Sequence, residues 1–338
     1  MFLKDSRLVT WLVAILVLIA MVLCAALLSL SVGDMDISVP DILRYLRLKE
    51  GLEFAVLDNI RIPRTILAFS VGGALSLAGT LLQGVYRNPL VEPYTMGISG
   101  GAALGVAICI VMELHFKVSS LMLPLSGFFG AFVSIFLVYR LSSKRNKNLN
   151  INRMLLIGVM ISFIASSAML FFMSVTTAEN IQSIVFWIMG SLNEPNKFLI
   201  YTSLFFSVLG LAVSYLYVVP LNALRLGEVR AKHLGVKTDR SIKVVFITAS
   251  VITGISVSVS GVIGFVGLII PHLVRSIIGT DYRVLLLASF LGGGIFLIMS
   301  DILARTIIAP NELPIGVITG MLGGVVFITA LSKKLKSD

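Results

Sequence analysis

The feature that most restricts this chain is a succession of long stretches without Asp, Glu, Lys or Arg. They cover residues 8–33, 65–86, 93–112, 118–139, 154–178, 198–224, 284–300 and 313–332, with a 31-residue run at 244–274 and a 14-residue run at 180–193. A helix rises about 1.5 Å per residue and needs about 20 apolar residues to cross about 30 Å of hydrocarbon. The first eight runs read as single spans, and 180–193 reads as an interfacial segment. Hydrophobic residues make up 57% of the 338 and charged residues only 13%. That leaves too little polar surface for a water-exposed chain of this length, so the fold class is all-α, a polytopic membrane protein.

The 31-residue run is too long for one crossing, since as a single helix it would extend about 46 Å. It contains Gly254, Gly261, Gly264, Gly267 and Pro271, residues that break helices. It reads as a full span, a turn near Ser260–Gly264 and a shorter returning helix, which gives ten crossings. The distribution of basic residues supports that number. With ten spans and both termini cytoplasmic, 19 of 27 basic residues fall inside, and the net charges are +13 inside and −3 outside. A single crossing at 244–274 would move Arg275, Arg283 and the "KKLK" tail outside. The net charge of +10 is thereby explained by topology, with basic residues dispersed among loops, and no nucleic-acid partner is expected.

The N-terminal uncharged run is 26 residues long, beyond the roughly 7–15 of a signal-peptide core, so it reads as a retained first span. Cys24 and Cys109 sit in apolar runs without ligand or redox spacing and read as packing residues.

Three connections differ from plain turns. The outer segment 34–64 holds a helix start, with Ser38 as cap near Pro40, and ends in "RIPR", Arg61 and Arg64. Arg305 lies at the other outer rim. Two readings stand for these arginines: interfacial anchors, or a basic surface pairing with acidic groups of a partner. The inner segment 219–243 is too long for a tight turn. Leu221, Leu224, Leu226, Ala231 and Leu234 outline the apolar face of two short helices broken around Gly227, and Gly235 closes the second by a left-handed cap. It either rests on anionic lipid or presents a surface to a cytoplasmic protein. The third is "YRNPLVEPYTMGISGGAALG", residues 86–105. Its charges are costly inside hydrocarbon, its prolines forbid a continuous helix, and its glycines permit close packing of the helix that follows. It reads as a broken inner connection placed either to close a pathway or to serve as a structural turn.

Catalytic signatures are absent. His115, His233 and His272 lie far apart, and "GVKT" at Gly235–Thr238 is not a complete phosphate loop. The chain is not expected to be an enzyme or to bind ATP itself. Asp301 is the main intramembrane charge and sits near the outer rim, which argues against an ion-coupled secondary transporter, the alternative function. An intramembrane enzyme would require converging ionisable residues that the runs do not contain.

Five segments in order resemble the permease subunits of ABC importers for iron-siderophores, haem and vitamin B12, the FecCD type. They are "RIPRTILAFSVGGALSLAGTLLQGVYRNPLVEPYTMGISGGAALG", "FWIMGSLN", "LNALRLGEVRAKHLGV", "SGVIGFVGLIIPHLVRSIIGTDYR" and "SDILARTIIAPNELPIGVITGMLGGVVF". The resemblance runs from Arg61 to Phe327 and implies one permease domain over residues 1–338 in a prokaryotic cell membrane. It implies a homodimer or close heterodimer, two cytoplasmic ATPase subunits that use ATP and Mg, an extracytoplasmic substrate-binding protein, and no cofactor on this chain. An iron chelate is the expected cargo, siderophore first, then haem, then cobalamin. By resemblance, Arg61, Arg64 and Arg305 receive acidic residues of the binding protein. Leu221, Leu224, Gly227, Glu228, Ala231, Leu234 and Gly235 belong to the ATPase-coupling helices. Asn88 and Leu90 match an inner gate whose other half falls at Ile151 and Asn152, where the family leads one to expect small hydroxyl residues. "PHLVR", with His272 and Arg275, is implied to be structural at the inner face.

Overall fold

The computed structural model describes residues 2–33, 37–48, 54–143 and 151–335. The sequence-assigned inner charges Lys144, Arg145, Lys147 and Lys336 lie outside the described residues, as do parts of the outer loop. All regular elements among the described residues are helices. In chain order they are α1 (Phe2–Ser31), α2 (Val39–Leu48), α3 (Phe54–Val56), a π-helical turn (Leu57–Arg61), α4 (Ile62–Tyr86), a 3-10 turn (Pro93–Met96), α5 (Ile98–Val111) and α6 (Leu114–Lys117). There follow α7 (Met122–Ser142), α8 (Ile151–Ser174), α9 (Ala178–Met189), α10 (Lys197–Tyr215), α11 (Val218–Leu224) and α12 (Glu228–His233). The last four are α13 (Thr238–Ser260), α14 (Val266–Ile278), α15 (Tyr282–Thr306) and α16 (Ile315–Leu335).

Among the described residues seven helices, namely α1, α4 with its π turn, α7, α8, α10, α13 and α15, are long and apolar enough to cross a membrane, and α5, α14 and α16 carry shorter apolar stretches. The runs at 93–112 and 244–274 are thus not continuous helices. Pro93 opens a 3-10 turn, Gly97 takes a left-handed φ of 81°, and only the 14 residues of α5 are helical. The 31-residue run breaks between Ser260 and Val266, with Gly261 at φ 69°. A helix of 14 residues reaches only about 21 Å, so the irregular backbone beside each short helix must be covered by protein rather than lipid. The run at 198–224 also divides, its tail forming α11. Residues 180–193 form most of α9, which packs on α5 through buried Ile184.

The bundle is built around α4, whose side chains are buried almost from end to end. Helices α10, α13, α14 and α15 surround it, α1 covers α15, and α5 with α7 and α8 forms a second group joined through α13. Small residues decide the closest crossings. A Cβ on Gly72 would lie 2.3 Å from the Gly293 carbonyl oxygen, and one on Gly79 only 1.9 Å from that of Gly267. Both crossings therefore require glycine. Several buried hydroxyls are satisfied within their own helices: Thr80, Thr253 and Ser256 donate to the carbonyls of Ser76, Ala249 and Ile252 at 2.7–2.9 Å. The apolar side chains of α1, α7 and α8 are largely exposed, as expected for helices whose solvent is hydrocarbon.

Candidate functional sites at the two ends of the bundle

The 25 residues of α4 hold two polar clusters about 37 Å apart. At its first turn the π-helical segment ends on Arg61, and Arg64 follows one turn later. Arg305 arrives on the last turn of α15, four residues after Asp301. All three arginines come together, but they do not form an open basic surface: they are only 4%, 8% and 9% exposed respectively. Whichever of the two roles they serve, they serve it from within a recess rather than from an exposed face. Arg64 Nε donates to Asp301 Oδ1 at 2.9 Å, and its Nη1 donates to both carboxylate oxygens of Glu312 at 2.8 and 2.9 Å. Arg305 Nε pairs with Asp301 Oδ2 at 3.1 Å. Arg61 donates to the carbonyls of Leu30 and Ser31, and Arg305 to those of Ser29 and Val32.

Those four carbonyls lie at the C-terminal end of α1, where carbonyls run out of helical N–H partners (that of Ser31 also accepts the Ile37 N–H at 3.2 Å), and cationic side chains suit its negative dipole end. Thr65 adds a bond to the Arg61 carbonyl at 2.7 Å and shares one of 2.8 Å with Ser29. Asp301 thus serves as a fully buried counter-ion for two arginines. Glu312, with its side chain about half exposed, stands at the mouth. Above the cluster is a recess of about 220 Å³ lined by Ile60, Arg61, Arg64, Arg305 and Glu312. Glu312 has no role in the sequence reading, because nothing in its local spacing links it to Arg64.

At the other end, α11 and α12 form the expected pair of short helices. Gly227 separates them with φ 106°. Gly235 closes α12 with φ 82°, while the N–H groups of Gly235 and Val236 donate to the Lys232 and Ala231 carbonyls at 3.0 and 3.1 Å. This is the double-bonded left-handed cap that the glycine predicts. The apolar face needs correction. Leu221, Leu224 and Ala231 are buried, whereas Leu226 and Leu234 are 55% and 65% exposed, with Val229 exposed between them. The break at Gly227 rotates α12 relative to α11, so leucines that one helical stripe would group are parted. The buried three therefore root the segment, with α11 against α4, α13 and α15, and the exposed three form a free apolar surface. Glu228 pairs with Lys232 at 2.8 Å on the exposed side.

Asn222, also absent from the sequence reading, ties this segment to α15. Its Nδ2 donates to Asp281 Oδ1 at 2.9 Å and its Oδ1 accepts the Tyr282 N–H at 3.1 Å. Asp281 in turn caps α15 by accepting the Arg283 N–H.

The proline-rich connection lies against the α13–α14 break. Tyr94 Oη donates to the Ile263 carbonyl at 3.0 Å and accepts the Ile263 N–H at 3.1 Å. Glu92 Oε1 accepts the Phe265 N–H at 2.7 Å, at the start of α14. Burial pushes the Glu92 carboxyl above the usual range, and the bond from Phe265 opposes that shift. Asn88 accepts the Leu90 N–H at 2.9 Å and Leu90 is exposed. Ile151 is partly buried against the main core and Asn152 is exposed. The tight contact between the two segments is Gly158 against Thr95 and Met96, nearly two turns along α8 from Asn152. His115, His233 and His272 fall in α6, α12 and α14, in three separate regions.

Comparison with known proteins accords with this architecture. Residues 11–333 match the model of the FecCD transport family. The chain is 36% identical to the uncharacterized ABC transporter permease protein YvrB of Bacillus subtilis, over 91% of this chain and 90% of that protein. It is 39% identical to the hemin transport system permease protein HmuU of Yersinia pestis, over 80% of this chain and 81% of that protein. It is 33% identical to the vitamin B12 import system permease protein BtuC of Salmonella paratyphi A, over 98% of both. Among solved structures, one of an inward-facing transporter assigned to the metal-chelate ABC type superposes with a TM-score of 0.82 at 30% identity, covering 96% of this chain and 99% of that one. A buried core helix closed by glycine contacts, broken short helices and a rooted pair of end helices thus accompany similarity along nearly the whole length, and the chain belongs to the FecCD transport family of ABC transporter permeases.

Proposed function

We propose that the chain is the permease subunit of an ATP-driven importer that carries an iron chelate into the cytoplasm, a siderophore complex first, haem or cobalamin next. The observation that carries this reading is the short-helix segment. Its buried Leu221, Leu224 and Ala231 fix it to the bundle while Leu226, Val229 and Leu234 face outward. An apolar surface exposed beyond the ends of the spans suits a protein partner, and Asn222 links it directly to α15.

In this reading the ten apolar helices make ten crossings, both termini lie in the cytoplasm, and the membrane is the cell membrane of a prokaryote. A second permease subunit, identical or closely related, completes the path between the two. Two cytoplasmic ATPase subunits use ATP and Mg, and this chain supplies no cofactor of its own. Their closure displaces the short-helix segment as a rigid handle, and α11 passes the motion to α4, α13 and α15. The inner constriction at Asn88, Leu90, Ile151 and Asn152 then opens in alternation with the outer end. At the outer end, an acidic side chain of the binding protein enters the recess above Arg61, Arg64 and Arg305 and competes with Glu312 for Arg64.

The test is uptake of labelled ferric siderophore, haem and cobalamin in a strain lacking this gene, with and without restoration. One of the three is expected to depend on both this chain and an intact ATPase partner. Uptake that persists without any ATPase and collapses with an uncoupler would establish the ion-coupled alternative instead.

A further inference from the structure

Beside the short-helix segment, and reaching Asn88 of the proposed inner constriction, lies a recess of about 290 Å³. It is bounded by the last turn of α4, the link after α11, the end of α14 and the start of α15. Three guanidinium groups line it, Arg87, Arg225 and Arg275, together with Gln83, Asn88 and Thr280. Arg225 donates to the Thr280 hydroxyl and Arg275 to Gln83 Oε1, both neutral acceptors. Among the described residues none of the three arginines pairs with a carboxylate. The acids nearest to them in sequence are engaged elsewhere: Glu228 by Lys232, Glu92 by the Phe265 N–H, and Asp281 by Asn222 and the Arg283 N–H.

At the opposite end of the bundle, by contrast, two of the clustered arginines have a buried counter-ion: Arg64 and Arg305 share Asp301. Gathering three cations in one recess without a counter-charge is electrostatically unfavourable, and a bound anion relieves it. The fork of a guanidinium fits a phosphate group through paired N–H bonds. Arg87 is held in a left-handed conformation, φ 51°, directly after α4, which turns the chain off the helix axis. The recess also sits where spans end, at Tyr86 and Ile278, and where α15 begins, at Tyr282. The exposed side chain of Ile277 lies two residues from Arg275.

We propose that Arg87, Arg225 and Arg275 form a binding site for a phosphate group, carried either by the headgroup of an anionic phospholipid or by free phosphate. The guanidiniums of Arg87 and Arg225, both exposed, take the phosphate oxygens first. Arg275, held by Gln83, closes the deeper side.

The experiment uses the full chain in nanodiscs of phosphatidylcholine alone and of phosphatidylcholine mixed with phosphatidylglycerol. Lipid retained on release is counted by native mass spectrometry. Inorganic phosphate is titrated into the phosphatidylcholine series against chloride of matched ionic strength, with melting temperature as readout. Arg87→Gln combined with Arg225→Gln is expected to weaken binding by about tenfold or more, because each lost bond is charge-assisted, and Arg87→Lys by less. Phosphatidylglycerol retained without a response to phosphate assigns the site to lipid. A rise in melting temperature with phosphate alone assigns it to the free anion. Binding that ignores the arginine substitutions, or no binding of either probe, overturns the proposal. So does loss of ATPase association in the double variant with neither probe bound, since the recess would then receive a carboxylate of that partner.

Discussion

Asp301 shows how much one side chain can carry in a low-dielectric interior. It is fully buried and answers two arginines from different helices. Breaking such a cluster from one side leaves uncompensated charge, so Asp301→Asn is expected to cost about 3–5 kcal/mol, measured as a lowered melting temperature of the detergent-purified protein. Glu312→Gln, at the half-exposed mouth, is expected to cost less than about 1 kcal/mol in the same assay. A second residue-scale prediction concerns Glu92. Its carboxyl is raised by burial in the folded protein, so the stability it contributes is complete below the ordinary carboxylate pKa and is lost as pH rises through the higher folded value. Glu92→Gln keeps an acceptor for the Phe265 N–H and is expected to flatten that decline in a series of thermal melts across pH. The i, i+4 spacing of Asp301 and Arg305 is legible in the sequence. Their meeting with Arg64, 237 positions away from Asp301, is not, because no local rule relates two such distant turns.

Among the helices, α4 depends on what its glycines allow. Gly79→Ala would place a methyl 1.9 Å from a backbone carbonyl that cannot rotate away. The helices must then separate, at a cost of at least about 1–3 kcal/mol, and the yield of folded protein in size-exclusion chromatography is expected to fall sharply. Gly324→Ala in α16 meets nothing within 4 Å and serves as the comparison. The short-helix segment carries a different prediction. Leu226→Asp with Leu234→Asp alters only exposed positions, so the permease is expected to keep its melting temperature while losing co-purification with the proposed ATPase partner. Gly227 and Gly235 mark the ends of these two helices in the sequence, and the structure has both as breaks with positive φ. Which leucines face the bundle is not written there, since the turn at Gly227 resets the helical phase.

For the whole molecule, the two polar clusters at opposite ends of α4 make sidedness a decisive measurement. In a background with Cys24→Ser and Cys109→Ala, which removes both native thiols, a membrane-impermeant maleimide on intact cells is expected to label Glu312→Cys. It should reach Arg230→Cys only after permeabilisation. Equal labelling of both from outside would contradict the proposed orientation and the mechanism built on it. The apolar faces left open on α1, α7 and α8 are consistent with a bundle that meets lipid and other subunits rather than water.

By itself the sequence determined that this chain is a helical membrane protein, where most of its apolar helices lie, where its backbone breaks and which family it resembles. Those properties follow from charge-free length and from residues that forbid a helix, and both are local. Only the tertiary structure decided that α5 is too short to cross alone, that the arginines turn inward to cap α1 and share Asp301, and that three other arginines gather with no carboxylate paired to them among the described residues. Such outcomes depend on which distant turns are brought within a few ångströms, and the desolvation of a charge is fixed by its neighbours in space.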